Sequence, residues 1–127
     1  MKQKLQFSIL LLFINLFATA QTFDVGNLRY NIISGTNVSV QKTNTNPTGA
    51  LTIPATVVNV GVTYSVTSIS DNGFSNCPGL TSVDIPNTVT NIGINAFREC
   101  YVFTSVNIPN TVTTIGSSAF RNCAALT

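Results

Sequence analysis

Hydrophobic and polar positions recur with a fixed period in the second half of the chain. Equivalent side chains return every 23 residues at four positions: Phe74, Phe97 and Phe120; Cys77, Cys100 and Cys123; Ile69, Ile92 and Ile115; Val66, Val89 and Val112. Residues 66–88 and 89–111 are identical at 13 of 23 positions. A period of about 20–50 residues is typical of solenoids, in which each repeat forms one coil and stacks on the next.

Each repeat predicts two short strands and one compact turn. Residues 80–85 read Leu-Thr-Ser-Val-Asp-Ile and predict a strand with its three apolar side chains inside. Pro86 ends that strand because proline has no N–H to continue a sheet. Residues 89–92 alternate apolar and polar and predict a second strand, and residues 95–100 predict one helical or 3₁₀ turn that buries its phenylalanine and cysteine. One coil cannot bury its own apolar edge, so we expect stacked coils with like side chains in contact.

Residues 21–65 depart from the repeat and predict a capping unit with a degenerate first coil. Residues 28–33 and 38–42 predict a β-hairpin. Ala50 to Pro54 match the end of an earlier coil, and nine additional residues after them predict an inserted hairpin that turns near Asn59-Val60-Gly61. A solenoid needs such an atypical end because bare strand edges and apolar surface would otherwise be exposed.

The predicted fold is therefore a repeat solenoid, mostly β with short helical or 3₁₀ turns. It is a leucine-rich-repeat-like stack of 23-residue coils behind an N-terminal β-hairpin cap. The repeats comprise residues 66–88, residues 89–111 and a partial copy at 112–127. The partial copy suggests a truncated chain, and we expect its uncapped C-terminal end to allow self-association.

The first twenty residues predict an export signal. Lys2 and Lys4 precede an apolar run at residues 5–17, and Ala18-Thr19-Ala20 is a small-residue cleavage site. The run of about 13 residues is shorter than the roughly 20 that a membrane-spanning helix needs. We therefore predict cleavage after Ala20, no transmembrane segment in the mature chain, and a secreted or cell-surface location.

The repeat resembles the BspA-type leucine-rich repeats of bacterial surface proteins. The resemblance rests on Thr-Ser-Val-x-Ile-Pro-Asn-Thr-Val-Thr-x-Ile-Gly-x-x-Ala-Phe-x-x-Cys, read from Thr81 to Cys100 and again from Thr104 to Cys123. Proteins of this family are typically secreted or cell-surface, and several are adhesins toward host matrix proteins or other cells. The resemblance thus implies display of a surface and leaves the ligand open.

Composition argues against several classes of function. Without the signal, four cations balance four carboxylates, and nucleic-acid binding needs clustered cations. The chain has no histidine, which removes Ser-His and Cys-His nucleophile systems, and no Cys-x-x-Cys metal spacing. A paired-carboxylate hydrolase is a minor alternative, because Asp71, Asp84 and Glu99 occupy three different repeat positions. We predict no enzyme activity, no cofactor, no metal site and no nucleic-acid partner.

The three cysteines allow either a disulfide or a column of buried thiols. Stacked coils would place equivalent Cα atoms about 5 Å apart, inside the bridging range. A column of small apolar side chains accounts for all three cysteines, whereas a bridge leaves one unpaired. We therefore favour free buried thiols.

The outer side of the predicted strands is the candidate partner-binding face: Thr81, Ser82, Asp84, Thr104, Ser105 and Asn107. Tyr101 is a further candidate, because it places an aromatic ring beside Arg98 and Glu99 where the other copies have Pro78 and Ala124. Two functions remain open at this point. The chain is either a module that binds an extracellular protein or glycan, or a structural spacer with no ligand of its own.

Overall fold

The computed structural model describes residues 21–127, so the predicted signal and its cleavage site lie outside the described residues. This part of the chain forms ten strands: β1 (Thr22–Val25), β2 (Leu28–Ser34), β3 (Asn37–Lys42), β4 (Gly49–Thr52), β5 (Thr56–Asn59), β6 (Val62–Ile69), β7 (Leu80–Asp84), β8 (Asn91–Ile92), β9 (Ser105–Asn107) and β10 (Thr114–Ile115). No helix in residues 21–127 has the length and apolar character to cross a membrane.

Two sheets run along the repeats, and their repeat strands pair in parallel. In the first sheet, β3, β6, β8 and β10 pair in parallel, with Ile69 opposite Ile92. In the second sheet, β4, β7 and β9 pair in parallel, with Val83 opposite Val106. Each complete coil adds one strand to each sheet, whereas the last, partial coil adds only β10 to the first sheet. The predicted repeat fold is confirmed.

Phenylalanine side chains form a continuous stack between the two sheets. The Phe97 ring lies 5.5 Å from that of Phe74 and 5.4 Å from that of Phe120, centroid to centroid, with interplanar angles of 9° and 8°. Phe103 also stacks on Phe97, at 5.5 Å. Phe74, Phe97 and Phe103 are fully buried. Equivalent side chains of successive coils are therefore in contact, as the period predicts.

The turn between the sheets differs from the helical or 3₁₀ turn predicted for residues 95–100. It consists of single hydrogen-bonded turns, because Asn95 and Glu99 adopt left-handed φ angles of 55° and 62° that interrupt a helix. This conformation turns alternate N–H groups toward the next coil. They donate to its carbonyl oxygens: Asn95 to Ser117 (3.1 Å), Phe97 to Ala119 (2.8 Å) and Glu99 to Arg121 (2.8 Å).

The N-terminal segment is joined to the stack by hydrogen bonds. The predicted hairpin is present as β2 and β3, and β3 pairs in parallel with β6, so it is the first strand of the first coil. The inserted hairpin is β5 with the start of β6, and it turns at Val60-Gly61, both with positive φ. The sequence did not predict β1, which pairs with β2. Phe23 of β1 stacks on Tyr30 at 5.5 Å and packs in a tilted arrangement against Tyr64 at 5.1 Å, centroid to centroid.

The last coil has one uncovered side among the described residues. β9 and β10 are the terminal strands of the two sheets. Ile115 of β10 is 50% exposed, although its counterparts Ile69 and Ile92 are buried. Phe120 is only partly buried for the same reason.

Candidate binding surface

The outward side chains of β4, β7 and β9 form a polar surface that we call the strand face. Parallel pairing aligns them in two rows across the sheet, because neighbouring strands lie about 4.8 Å apart with side chains in register. One row is Ala50, Ser82 and Ser105, and the other is Thr52, Asp84 and Asn107. The inward side chains of the same strands, such as Val83, belong to the core.

Thr81 and Thr104 complete the strand face at the start of β7 and β9. Between Gly49 and Ala50 the register of β4 against β7 shifts, so that β7 contains one extra residue at Thr81. Such a bulge allows two adjacent residues to lie outside a strand. The Thr104 N–H donates to the Thr81 carbonyl oxygen at 2.8 Å, and the Thr104 hydroxyl donates to the same oxygen at 3.1 Å. This hydroxyl is therefore held in place by the sheet.

The structure brings all six predicted strand residues onto this one surface. Five of them are exposed and Ser82 is half-buried. Sequence reasoning missed Ala50 and Thr52, which extend both rows onto β4 and are exposed. Both could have been predicted from the sequence, because Ile-Pro at residues 53–54 repeats Ile-Pro at residues 85–86 and so aligns Thr52 with Asp84.

Tyr101 lies outside both sheets, in the segment that joins the turn to β9. Its side chain is 52% exposed. The neighbouring Arg98 and Glu99 form an ion pair of 2.8 Å, and the Arg98 Nε is buried without a hydrogen-bond partner in residues 21–127. Tyr101 is therefore an exposed ring that belongs to neither row of the strand face.

Asp84 carries the only charge of the strand face. Its carboxylate is exposed and makes no ion pair or side-chain hydrogen bond within residues 21–127. The other three carboxylates in this part of the chain have partners: Asp24 pairs with Arg29 (2.8 Å), Glu99 pairs with Arg98 (2.8 Å), and Asp71 accepts the Ile94 N–H (2.8 Å). Asp84 is thus the carboxylate that a ligand can engage without breaking an internal contact.

A cavity of about 420 Å³ adjoins the strand face at Ala50. It lies between the β1–β2 turn, the polar loop of residues 43–48 and β4. Its lining contains no charged residue: Asn27, Leu28, Thr45, Asn46, Pro47, Thr48, Ala50 and Leu51. Ligand sites commonly enclose roughly 300–1,000 Å³ and combine apolar walls with a few polar groups. Sequence reasoning did not identify this concave site.

The three cysteines form a column of free thiols inside the stack. The Cys100 thiol donates to the Phe74 carbonyl oxygen at 3.2 Å, and the Cys123 thiol donates to that of Phe97 at 3.1 Å. Both sulfurs therefore lean toward the preceding coil. In residues 21–127 no group of three or more histidine, cysteine or carboxylate side chains is arranged to hold a metal ion.

Comparison with known proteins identifies the repeat. The sequence profile described as BspA type Leucine rich repeat region (6 copies) matches residues 51–127. This chain belongs to the BspA-type leucine-rich repeat family. No curated protein matches this BspA-type chain.

Three solved structures of bacterial leucine-rich proteins are similar to this chain. A leucine rich cell surface protein from Faecalibacterium prausnitzii A2-165 has 34% identity over 86% of this chain and 30% of its own, with a TM-score of 0.76. A leucine-rich repeat protein from Bacteroides ovatus ATCC 8483 has 31% identity over 82% of this chain and 28% of its own, with a TM-score of 0.72. One from Bacteroides capillosus ATCC 29799 has 29% identity over 83% of this chain and 78% of its own, with a TM-score of 0.74. The chain spans about 30% of the length of the first two.

Proposed function

We propose that this BspA-type chain is a non-catalytic binding module, secreted or held at the cell surface, whose strand face contacts an extracellular protein or glycan. The observation that supports the proposal best is the pair of aligned rows on β4, β7 and β9, with the unpartnered Asp84 carboxylate at the centre of one row. The similarity to a bacterial cell surface protein supports the location.

The chemistry of the strand face suits a polar, uncharged partner. Serine, threonine and asparagine offer both donors and acceptors to sugar hydroxyls or to a peptide backbone. They lose less rotamer entropy on binding than lysine, arginine or glutamate, so their contacts cost less to form. The sheet holds their spacing fixed before the ligand arrives, which reduces the ordering cost further.

A lack of paired catalytic groups supports the non-catalytic role. The chain has no histidine. Asp84 has no second carboxylate in its row, since its neighbours there are Thr52 and Asn107. Glycoside hydrolysis by two carboxylates needs a defined pair on both sides of the scissile bond, roughly 5–10 Å apart. The strand face instead presents one acid among neutral side chains.

A structural spacer is the second candidate function. The observation in its favour is that this chain spans 30% of the F. prausnitzii protein, so an equivalent stack can serve as one part of a longer surface protein. In that role the strand face is solvated and the coils hold another domain at a distance. Binding measurements separate the two functions.

The test is a binding assay on immobilised matrix proteins and on a glycan array. We expect saturable binding that weakens at least about tenfold, or 1.4 kcal/mol, in Asp84→Lys and in Asn107→Lys. Asn110→Lys is the matched control, because Asn110 is an exposed asparagine outside both sheets. Binding at background level for every probe favours the spacer, and equal weakening by Asn110→Lys would show a general charge effect.

The location has its own test. Export of the full chain should yield a product whose intact mass corresponds to a chain beginning at Gln21, because cleavage is expected after Ala20. A product that still carries Met1 contradicts the predicted signal.

A further inference from the structure

A cation and two thiols are packed together at the N-terminal end of the cysteine column. The Lys42 Nζ lies 3.7 Å from the Cys77 Sγ and donates to the Asn46 Oδ1 at 2.7 Å. It also donates to the Ser75 carbonyl oxygen. Cys77 is fully buried. A positive charge is therefore held against a buried sulfur, although the rest of the column is lined by neutral groups.

Lys42 occupies this position because the first coil lacks the turn that later coils have. Inside the stack, the N–H of Phe74 donates to the Ala96 carbonyl and that of Asn76 to the Arg98 carbonyl, at 2.7 and 2.8 Å. The corresponding carbonyls of the preceding coil belong to Gly73 and Ser75. The Lys42 main-chain N–H donates to Gly73 at 3.0 Å, and its ammonium donates to Ser75. One lysine thus replaces two backbone donors, which fixes its ammonium beside Cys77.

Cys100 supplies the second thiol of the cluster. Its sulfur leans toward the coil of Cys77, 3.2 Å from the Phe74 carbonyl oxygen. The neighbouring Cys100 thiol and the Lys42 charge lower the pKa of Cys77 to about 7, against the opposite effect of burial. The adjacent Cys77 sulfur and burial raise the pKa of Cys100. Near pH 7 the Cys77 thiol is therefore partly ionised beside a protonated Cys100, the arrangement that favours attack by the first sulfur.

We propose that Cys77 and Cys100 are a redox-active dithiol that undergoes thiol–disulfide exchange with small disulfides. The Cys77 thiolate attacks one sulfur of a disulfide RS–SR, which forms a Cys77–SR mixed disulfide and releases RS⁻. Cys100 then transfers its proton to the RS⁻ released in the first step and attacks the Cys77 sulfur, which expels the second RS⁻ and forms the Cys77–Cys100 bond. Two electrons pass from the protein to the small disulfide, which leaves as two thiols.

The cavity beside the strand face provides the approach to Cys77. Asn46 lines this cavity of about 420 Å³, and its Oδ1 lies 3.9 Å from the Cys77 Sγ. A small disulfide in the cavity is therefore separated from the thiolate by one amide side chain on the polar loop of residues 43–48. Cys123, at the other end of the column, has no cation beside it in the described residues, and burial raises its pKa. This difference makes Cys77 the first sulfur to react.

The test is exchange of the reduced, folded, exported chain with oxidised glutathione, followed by acid quench and peptide mapping. We expect a glutathione adduct at Cys77, then a Cys77–Cys100 link, with Cys123 left as a free thiol. Cys100→Ser should trap the adduct at Cys77. Lys42→Met should slow the exchange about tenfold at pH 7 and move the midpoint of its pH profile from about 7 toward the ordinary value of about 8.5. Arg121→Met, which removes an exposed charge, should leave both unchanged.

Three results would overturn the proposal. One is that the folded chain resists oxidation while the urea-unfolded chain reacts. Another is that Cys123 is modified as fast as Cys77. The third is an unchanged rate and pH profile in a folded Lys42→Met variant. If Lys42→Met does not fold, Asn46→Ala provides an independent test: it opens the approach and should accelerate adduct formation at Cys77, and an equal or slower rate contradicts the proposed route.

Discussion

Removal of the central ring of the phenylalanine stack, Phe97→Ala, should destabilise the fold more than any other single truncation in the column. Phe97 is fully buried and stacks on three rings, those of Phe74, Phe103 and Phe120. Phenylalanine-to-alanine changes in cores cost about 3–5 kcal/mol. We expect Phe97→Ala to lie at the upper end of this range, because hydrogen bonds between coils hold them apart and prevent them from filling the cavity left by the ring. One of these bonds joins the Phe97 N–H to the Ala119 carbonyl at 2.8 Å.

Phe120→Ala, at the end of the stack, provides a comparison for the loss of stability expected from Phe97→Ala. Phe120 is partly buried, and it contacts Phe97 at 5.4 Å and Phe103 at 6.4 Å on one side. Because one side of the Phe120 ring is open, its truncation removes fewer contacts. We therefore expect Phe120→Ala to lower the free energy of unfolding by about 2 kcal/mol. Tyr101→Ala, the exposed aromatic control, should change stability by less than about 0.5 kcal/mol.

Urea unfolding followed by circular dichroism measures these differences. A domain of this size has a total stability of about 5–15 kcal/mol and an m-value of about 2 kcal/mol/M. A loss of about 4 kcal/mol in Phe97→Ala therefore lowers the urea midpoint by about 2 M. A loss below about 1 kcal/mol, or one no larger than that of Phe120→Ala, would refute the stacked core.

Three further predictions concern the two ends of the stack. Lys42→Met should lower the free energy of unfolding by about 2 kcal/mol, because the half-buried Ser75 carbonyl loses a charged donor, whereas Arg121→Met should be neutral. Equal effects of the two variants would contradict the role of Lys42 as a donor at the end of the stack. The thiolate contribution of Cys77, whose folded pKa of about 7 lies below the unfolded value, is present above pH 9 and lost as the pH falls through 7. The urea midpoint should therefore rise from pH 6 to 8.5, and Cys77→Ser should abolish that rise; a rise of the same size in the variant refutes the assignment. Sedimentation should show concentration-dependent association through the uncovered edge at Ile115, reduced by Ile115→Lys, and a monomer at all concentrations would contradict it.

The stacked architecture follows from the sequence because a 23-residue period leaves few other ways to bury its apolar positions. Identical residues at one repeat position, such as Phe74 and Phe97, predict contact between coils without any knowledge of the strands. The order of Leu, Val and Ile in residues 80–85 also places the Asp84 side chain on the outer face of the sheet. These features are local or periodic, and the structure confirms them.

Features that depend on contacts between distant segments of the chain could not be predicted from the sequence. Thr22–Val25 alternates polar and apolar residues, but four residues are a weak strand signal, and the position of this strand depends on packing of Phe23 against Tyr30 and Tyr64. The helical turn predicted near Glu99 does not form, because hydrogen bonds between coils stabilise a left-handed φ that glutamate rarely adopts.

The role of Lys42 beside Cys77 also could not be predicted from the sequence. In the sequence Lys42 is one scattered cation, and its role as a donor to the Gly73 and Ser75 carbonyls arises only because the first coil lacks a turn. Thr52 could have been found from the repeated Ile-Pro, whereas the cavity beside Ala50 forms from three separate segments and has no sequence signature.

A crystal structure of residues 21–127 tests most directly whether the 23-residue coils stack in register. The rings of Phe74, Phe97 and Phe120 should form one buried column, with successive centroids 5.5 and 5.4 Å apart. Centroids separated by more than about 7 Å, beyond the range of aromatic contact, or rings that face solvent, would contradict the stacked fold and the strand face built on it.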